Sequence, residues 1–524
     1  MNLLLRNVHK SPSLIAFSDY RESEAHNDLQ TSVSNSGELL EYETLELRVH
    51  PPNIDIDNEY DPSCTLITVD SANRPGTLVE VVQHFTELGL NVRRARISSD
   101  GGWFVDVFEV TDFDGSQVTS NRKLASIKQM LNIHLRGQEV PVFNADETDD
   151  QQRIVTTVFE LAGEDQSGLL ADVTHLLTTN GCDVRSAAVW TFKNRVAFVL
   201  SVTDKGQPVR DGIKLQRLKQ LLRTMMDKHG NGVVNIKTVQ GEVHHDRRLH
   251  VLMLREEEMQ WEQGHSKPRY HMRWNSSLGE AAASPTDSAG SMHAEYMNLP
   301  DADSDQLSHF RSPKHSRPDV SITHSSMNGY WLVTIKCKDR TKLLFDTVCT
   351  LADMDYDVFH ATIDSIKGAA MQEYYIRPRL GKPELDELKA AKLAAMMESS
   401  IQRRFPRGLK VHVHSVDRFG CLAALTDVLK QGGLAVTRAK VKTFAVNQSS
   451  GHTFYVMDAT GAPPDKDKVE EACKQIGGHL VEVGEEARSA SSGQHRFSFS
   501  FLNRQWHKGW NGDSSSPSSS HGSV

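Results

Sequence analysis

Asn73-Arg74-Pro75-Gly76 and, further along, Gly89-Leu90-Asn91-Val92-Arg93-Arg94-Ala95 recur as a set three more times in this chain of 524 residues. The bend returns as Asp165-Gln166-Ser167-Gly168, Asp339-Arg340-Thr341-Lys342 and Asp417-Arg418-Phe419-Gly420. Its follower returns as Gly181-Cys182-Asp183-Val184-Arg185-Ser186-Ala187, Asp355-Tyr356-Asp357-Val358-Phe359-His360-Ala361 and Gly433-Leu434-Ala435-Val436-Thr437-Arg438-Ala439. The interval from the first residue of the bend to the closing alanine is 22 in every copy: 73 to 95, 165 to 187, 339 to 361, 417 to 439. A spacing held four times identifies a repeated folding unit.

Working outward from each bend, an apolar or alternating run precedes it at 65–69, 155–161, 332–335 and 409–413, the signal of a strand. Helical periodicity follows. Leu78, Val81, Val82, Phe85 and Leu88 share one face in the first unit, as do Leu169, Val173, Leu176 and Leu177 in the second. A second strand is expected through 92–97, 184–190, 358–363 and 436–441, and a third through 103–110, 196–202, 371–376 and 453–457. Second helices are expected near 121–132, 213–227, 384–403 and 465–477. Last strands fit 140–143, 233–237 and 480–483. The order βαββαβ predicts an α+β chain of four ferredoxin-like modules, each an antiparallel sheet with helices on one face.

The third unit is irregular. Lys342 stands where the others have glycine, and no room remains between its second helix and the next unit's first strand. That unit either lacks its edge strand or shares one with its neighbour. The expected boundaries are 61–144, 153–241, 328–406 and 408–485 for the modules. Disordered segments are expected at 1–60, 255–327 and 486–524, where polar, Ser- and Pro-bearing composition buries too little apolar surface to offset ordering entropy.

Composition narrows the function. Hydrophobic residues are 38 % and the net charge is −9, which argues against a nucleic-acid surface spread over the whole molecule. Cys64, Cys182, Cys337, Cys349, Cys421 and Cys473 show no CxxC spacing and are read as reduced, packed thiols. No run approaches the roughly 20 apolar residues of a membrane span. The expected location is intracellular and soluble, cytoplasmic and/or nuclear, with a plastid address still open.

Gly76, Gly168 and Gly420 sit where a strand ends and a helix opens. Glycine there permits close backbone approach, and the free N–H groups of the helix start favour an anion such as a carboxylate. Elsewhere the chemistry is bland. His244, His245 and His250 flank Asp246-Arg247-Arg248, read as a solvated basic turn and not a metal site. Asp346 and Cys349 are read as packed groups, and there is no nucleophile elbow, Walker loop or dinucleotide fingerprint.

The segments Asn73-Arg74-Pro75-Gly76-Thr77-Leu78 and Asp165-Gln166-Ser167-Gly168-Leu169-Leu170 resemble the D-R-P-G-L-L signature of ACT domains. Ser98 to Phe104, Val189-Trp190-Thr191, Asp246 to His250, Phe345 to Leu351 and Gln372 to Arg377 are similar to segments of plant proteins built only of ACT repeats. The likeness spans about 53–254 and 328–483. It extends to the sensory C-terminal part of bacterial uridylyltransferases, though no nucleotidyltransferase domain is visible in the sequence. The resemblance implies a non-catalytic regulator without cofactor or metal, whose ACT modules pair side by side into eight-stranded sheets and bind amino acids between them. It implies ligand contacts from Asn73, Gly76, Thr77 and Leu78; from Asp165, Ser167, Gly168 and Leu169; from Asp339 and Arg340; and from Asp417, Gly420, Cys421 and Leu422. Lys342 would crowd the third bend or set a cation where backbone donors should meet the ligand.

Short connections suggest that unit one pairs with two and three with four. The expected partners are a small amino acid and a regulated protein or second copy, in amino-acid or nitrogen metabolism, with no nucleic acid. An RNA-recognition module shares the strand order, but Asp106 interrupts its one aromatic strand. The principal rival is an interaction scaffold that uses paired sheets without a ligand.

Overall fold

The computed structural model describes residues 51–99, 102–135, 155–227, 232–240, 243–264, 317–325, 330–366, 368–405, 407–444 and 449–476. Unit one comprises β1 (Asn53–Asp57), β2 (Thr65–Ala72), α1 (Thr77–Glu87), β3 (Asn91–Ser98), β4 (Trp103–Thr111) and α2 (Asn121–Leu135). Unit two comprises β5 (Val155–Glu164), α3 (Leu169–Thr179), β6 (Cys182–Phe192), β7 (Arg195–Asp204), the short β8 (Gln207–Pro208), α4 (Gly212–Met226) and β9 (Val233–Gln240). It is followed by α5 (His245–Glu262). Unit three comprises β10 (Asp319–Ser325), β11 (Tyr330–Lys338), α6 (Leu343–Asp353), β12 (Tyr356–Ile366), β13 (Ala369–Pro378) and α7 (Glu387–Arg403). Unit four comprises β14 (Leu409–Val416), α8 (Cys421–Gln431), β15 (Leu434–Phe444), β16 (Ser449–Asp458) and α9 (Lys466–Ile476).

Burial alternates along much of the unit-one strands, whereas β5 and β7 of unit two are buried on both faces. Ile67 and Val69 of β2 and Phe104, Phe108 and Val110 of β4 turn inward, and Val81, Val82 and Phe85 of α1 close over them. Phe85 meets Phe108 edge to face at 5.0 Å. Each of these large side chains contributes roughly 1.5–3 kcal/mol by leaving water.

The pairing of units is the main correction to the sequence reading. One eight-stranded sheet runs β1-β2-β4-β3-β12-β13-β11-β10, so unit one joins unit three. The other runs β14-β16-β15-β6-β7-β5-β9, joining units two and four, with β8 beside β7. The expected one–two and three–four pairs do not form. Strands β3 and β12 meet antiparallel from His360↔Ser98 to Asp364↔Arg94, and β6 and β15 from Arg438↔Trp190 to Lys442↔Ser186. Ion pairs span both seams. Asp364 faces Arg94 at 3.4 Å and Arg96 at 3.6 Å across the first seam, while Arg185 reaches Asp417 at 2.7 Å across the second.

Sheet edges hold a second surprise. In units one and three the outer strand comes from before the repeat: β1 pairs with β2, and β10 with β11. The expected strand at 140–143 lies outside the described residues, as does that at 480–483. Unit three therefore neither lacks an edge strand nor borrows one; β10 supplies it. Strand β1 falls inside a stretch read as disordered, and so does β10. Their alternating apolar residues, Ile54 and Ile56, Val320 and Ile322, pack on the first core. Unit two closes its sheet with β9, as expected from 233–237.

Helix α5 also runs into a stretch read as linker. Leu249, Leu252 and Met253 cover the face of β5, β6 and β7 opposite α3 and α4, against Val158, Ala188 and Trp190. Its other side meets α6 and α7 of unit three. The two paired sheets thus stack through α5. No helix among the described residues is long and apolar enough to cross a membrane.

Candidate functional site

Each bend takes the same conformation immediately before its helix. Gly76 (φ 93°), Gly168 (φ 80°) and Gly420 (φ 72°) are left-handed, and so is Lys342 (φ 62°). A β-carbon at such φ costs about 1–2 kcal/mol, which is why three of four copies carry glycine. The bend's first backbone N–H is anchored on the neighbouring hairpin: Asn73 donates to the Gly102 carbonyl (2.9 Å), Asp165 to Asn194 (2.8 Å) and Asp339 to Gly368 (2.9 Å).

The first helices pack in pairs across the seams, α1 with α6 and α3 with α8. Buried Thr174 and Thr426, at equivalent repeat positions, share a hydrogen bond of 2.9 Å. The second and fourth bends each face the far end of the partner's first helix. The stem of Lys430 lies over Gly168, 2.7 Å from where a β-carbon would stand, and Thr178 lies over Gly420 at 3.0 Å. Both cover positions are 13 residues beyond the start of their own unit's bend, 165 to 178 and 417 to 430. The equivalent in unit three is the small Ala352, and Gly76 has nothing within 4 Å of an added β-carbon. The first bend is open; the second and fourth are roofed.

A feature absent from the sequence reading completes the seam. All four second strands carry a register shift at the same repeat position, skipping Arg93, Arg185, Phe359 and Thr437. A bulge re-aims the side chain it carries. Arg185 is thereby sent to Asp417 (2.7 Å), and Asp183 accepts the Gly420 N–H at 3.2 Å. Thr437, at the reciprocal position, instead binds the Arg407 carbonyl at 2.7 Å. The second seam is asymmetric: the fourth bend is engaged by unit two, and Asp165 has no matching arginine at the equivalent position of unit four. Burial pushes the Asp165 carboxyl up to about 6 against the lowering effect of the Gln166 N–H.

The sequence-selected residues differ in what they offer the seam. Asn73 binds the Ser99 hydroxyl at 2.6 Å, and exposed Ser167 lines its own bend. Thr77 turns back to the Arg74 carbonyl at 2.9 Å, Leu169 and Leu422 are buried in the second core, and Leu78 packs on the first. At these positions the seam is offered backbone, not side chain. Cys421 is half-buried, with its thiol 3.2 Å from the Ser415 hydroxyl. The third bend is committed elsewhere. Arg340 pairs with Asp346 at 2.8 Å and binds the Ile401 carbonyl at 3.0 Å, and burial raises the Asp339 carboxyl. Lys342 points away from the seam onto Asp246 of α5.

Asp246-Arg247-Arg248, read as a solvated turn, is the first turn of α5 and part of a buried ionic layer. Arg247 clamps Asp353 at 2.5 and 2.6 Å, and Arg248 binds Glu160. Arg404 clamps Asp346 at 2.6 Å through two nitrogens, and Arg403 binds Glu257 at 3.1 Å. His250 is fully buried 3.2 Å from Asp353; burial, with Arg403 nearby, holds it down at about 4. The apolar spacing of Leu249, Leu252 and Met253 was the signal that this segment is a helix face. Among the described residues no group of His, Cys, Asp and Glu could hold a metal ion. Cys349 is buried and its thiol pushed well up by desolvation.

Comparison with known proteins fits this architecture. Residues 60–138 match the family model described as the ACR family N-terminal ACT domain. ACT domain-containing protein ACR4 of Arabidopsis thaliana is 37 % identical over 451 residues, covering 84 % of this chain and 88 % of that protein. ACT domain-containing protein ACR5 of the same plant is 36 % identical over 444 residues, 83 % and 88 % of the two chains. A bifunctional uridylyltransferase/uridylyl-removing enzyme of Azospirillum brasilense is 40 % identical over 81 residues, 16 % of this chain and 9 % of that enzyme. With four repeats on one register and relatives matched over most of their length, this chain belongs to the ACR family of ACT domain-containing proteins.

Proposed function

We propose that the chain is a non-catalytic, amino-acid-responsive regulator that seats a small amino acid at a bend where it faces the neighbouring module. One observation carries this reading: a left-handed bend opens the first helix of every unit, and the second and fourth bends lie against the end of the partner's first helix. Free N–H groups at the helix start suit an α-carboxylate. At the second bend Asp165 supplies an acceptor for an ammonium group; at the first, the space over Gly76 is open. A ligand that bridges two modules shifts their relative orientation only by its differential affinity for the two arrangements. The signal would pass to a protein partner in amino-acid or nitrogen metabolism.

A second reading, a scaffold without a ligand, is favoured at the fourth bend, where Arg185 and Asp183 already occupy Asp417 and the Gly420 N–H. Calorimetric titration of the intact chain with the common amino acids separates the two. Binding abolished by Gly76→Val or Gly168→Val supports sensing; silence across the panel leaves the scaffold.

A further inference from the structure

Where the second seam meets the connection from α7 to β14, a shallow, solvent-open cleft has walls that include Trp190, Arg403, Phe405, Arg407, Thr437 and Arg438. No residue of the four bends lines it, and Trp190 belongs to the sheet face opposite the first helices. Three modules therefore meet here: β6 of unit two, the end of α7 of unit three, and β15 of unit four.

Its walls carry charge that the protein leaves unneutralised. Arg403 is 3 % exposed, and one terminal nitrogen binds Glu257 at 3.1 Å. Its Nε and second terminal nitrogen have no hydrogen-bond partner among the described residues, and its side chain is wholly buried, so it lies behind the cleft surface as a fixed positive charge. Arg438 lies over the Trp190 ring at 4.8 Å and donates to the Arg404 carbonyl at 2.5 Å; it pairs with no carboxylate among the described residues. Arg404 occupies the same ring at 4.7 Å. Arg407 is exposed at the mouth, its carbonyl pinned by the Thr437 hydroxyl.

The carboxylates around this junction are already shared. Glu257 serves Arg403, Asp346 serves both Arg404 and Arg340, and Asp246 serves Lys342 and Arg404. Six cations (Arg340, Lys342, Arg403, Arg404, Arg407 and Arg438) thus stand against three carboxylates. Burial, reinforced by Arg404, pushes the Arg438 guanidinium down to about 10, as expected of a cation short of a counter-charge. Buried N–H donors without acceptors cost stability, and guanidinium forks match carboxylate and phosphate oxygens.

We propose that this cleft binds a small oxyanion, the phosphate or carboxylate group of a metabolite, through Arg407 and Arg438, with buried Arg403 behind them adding to the positive potential. The site is separate from the bends and does not rest on their reading as amino-acid sites. An occupant would neutralise the junction of three modules and so stabilise their stacking.

The test is calorimetry on the full chain with two probes, inorganic phosphate and succinate, each against chloride at constant ionic strength. At least one binds one to one, and Arg407→Gln or Arg438→Gln weakens it fivefold or more with circular dichroism unchanged. Arg407 is exposed, so its variant keeps the fold. Preference for one probe assigns the phosphate or the carboxylate source. No heat from either probe, or affinities within fivefold of the parent in both variants, overturns the proposal.

Discussion

Replacing Asp346 with asparagine removes one carboxylate shared by two buried guanidinium groups while keeping its shape. Asp346 is 1 % exposed, clamped by Arg404 at 2.6 Å and approached by Arg340 at 2.8 Å. Removing one partner from a buried pair costs about 3–5 kcal/mol, because the other charge stays desolvated. Two cations are stranded here, which pushes the cost up. Arg404 retains Asp246 at 3.6 Å and its stacking on Trp190 and Phe345, which pulls it down. The balance gives an expected loss of about 3–4 kcal/mol at neutral pH. The pH dependence follows from the same contacts. Burial alone would raise this carboxyl, but Arg404 and Arg340 outweigh it and hold the group well below the usual carboxylate range. With the folded pKa depressed, the contribution is complete above the unfolded value of about 3.9 and is lost as pH falls through the folded one. Urea unfolding followed by tryptophan fluorescence, at pH 8, 6 and 3, should show a constant gap between parent and variant at the two higher values and a narrower one at pH 3. A loss below about 1 kcal/mol at pH 8, or a gap that closes between pH 8 and 6, refutes the assignment of Asp346 as the shared anion.

Other outcomes follow from the same geometry. A protease site placed in 265–316 and cut should leave two fragments that co-elute in gel filtration, because each half contributes one module to each sheet; separation without denaturant would contradict the pairing. Asp106 is fully buried, bonded to the Ser98 N–H at 3.3 Å, and desolvation raises its pKa well above normal. The folded state then holds a proton that the unfolded state releases, so this group loses stability as pH rises above about 4, at about 1.4 kcal/mol per unit up to the folded value. Asp106→Asn should therefore raise the melting temperature at pH 8 and leave it unchanged at pH 4. Lys342→Gly should be more stable to urea than Lys342→Ala by about 1–2 kcal/mol, since both lose the half-exposed pair with Asp246 but only alanine keeps the left-handed strain.

The repeated units were legible because their markers are local. A positive-φ residue and the start of a helical apolar stripe lie side by side in the chain, and three of four copies spell the former with glycine. The third copy shows the limit: Lys342 and Asp355 (φ 66°) adopt left-handed conformations that glycine takes elsewhere, and tertiary pairing of Lys342 with Asp246 and of Asp355 with Arg379 and Lys382 accompanies the strain. Partner choice was not legible, because it depends on what β3 and β6 meet on strands hundreds of residues away. Asp417 becomes complementary to Arg185 only once the bulge has aimed the arginine, and Asp364 meets Arg94 and Arg96 only in the register that β3 and β12 adopt. Helix α5 was hidden for a different reason. Its charged residues look solvated in sequence, yet Asp353, Glu160, Lys342 and Arg404 neutralise them from other units.

Interleaving gives the molecule a property that two consecutive pairs would lack. Were units one and two one body and three and four another, the segment between them could swing without consequence. Here α5 continues directly from unit two, lies on the back of that unit's sheet through Leu249, Leu252 and Met253, and grips unit three through Arg247 and His250. Arg404 ties the same ends together, bonded to Asp346 while stacked on Trp190. A change in angle at the second seam moves Trp190 and the floor beneath α5, so it must work against contacts that also fix unit three, and through β12 unit one. Coupling between the seams is then limited by how much free energy those few ion pairs can store, and weakening Asp346 should loosen both seams together.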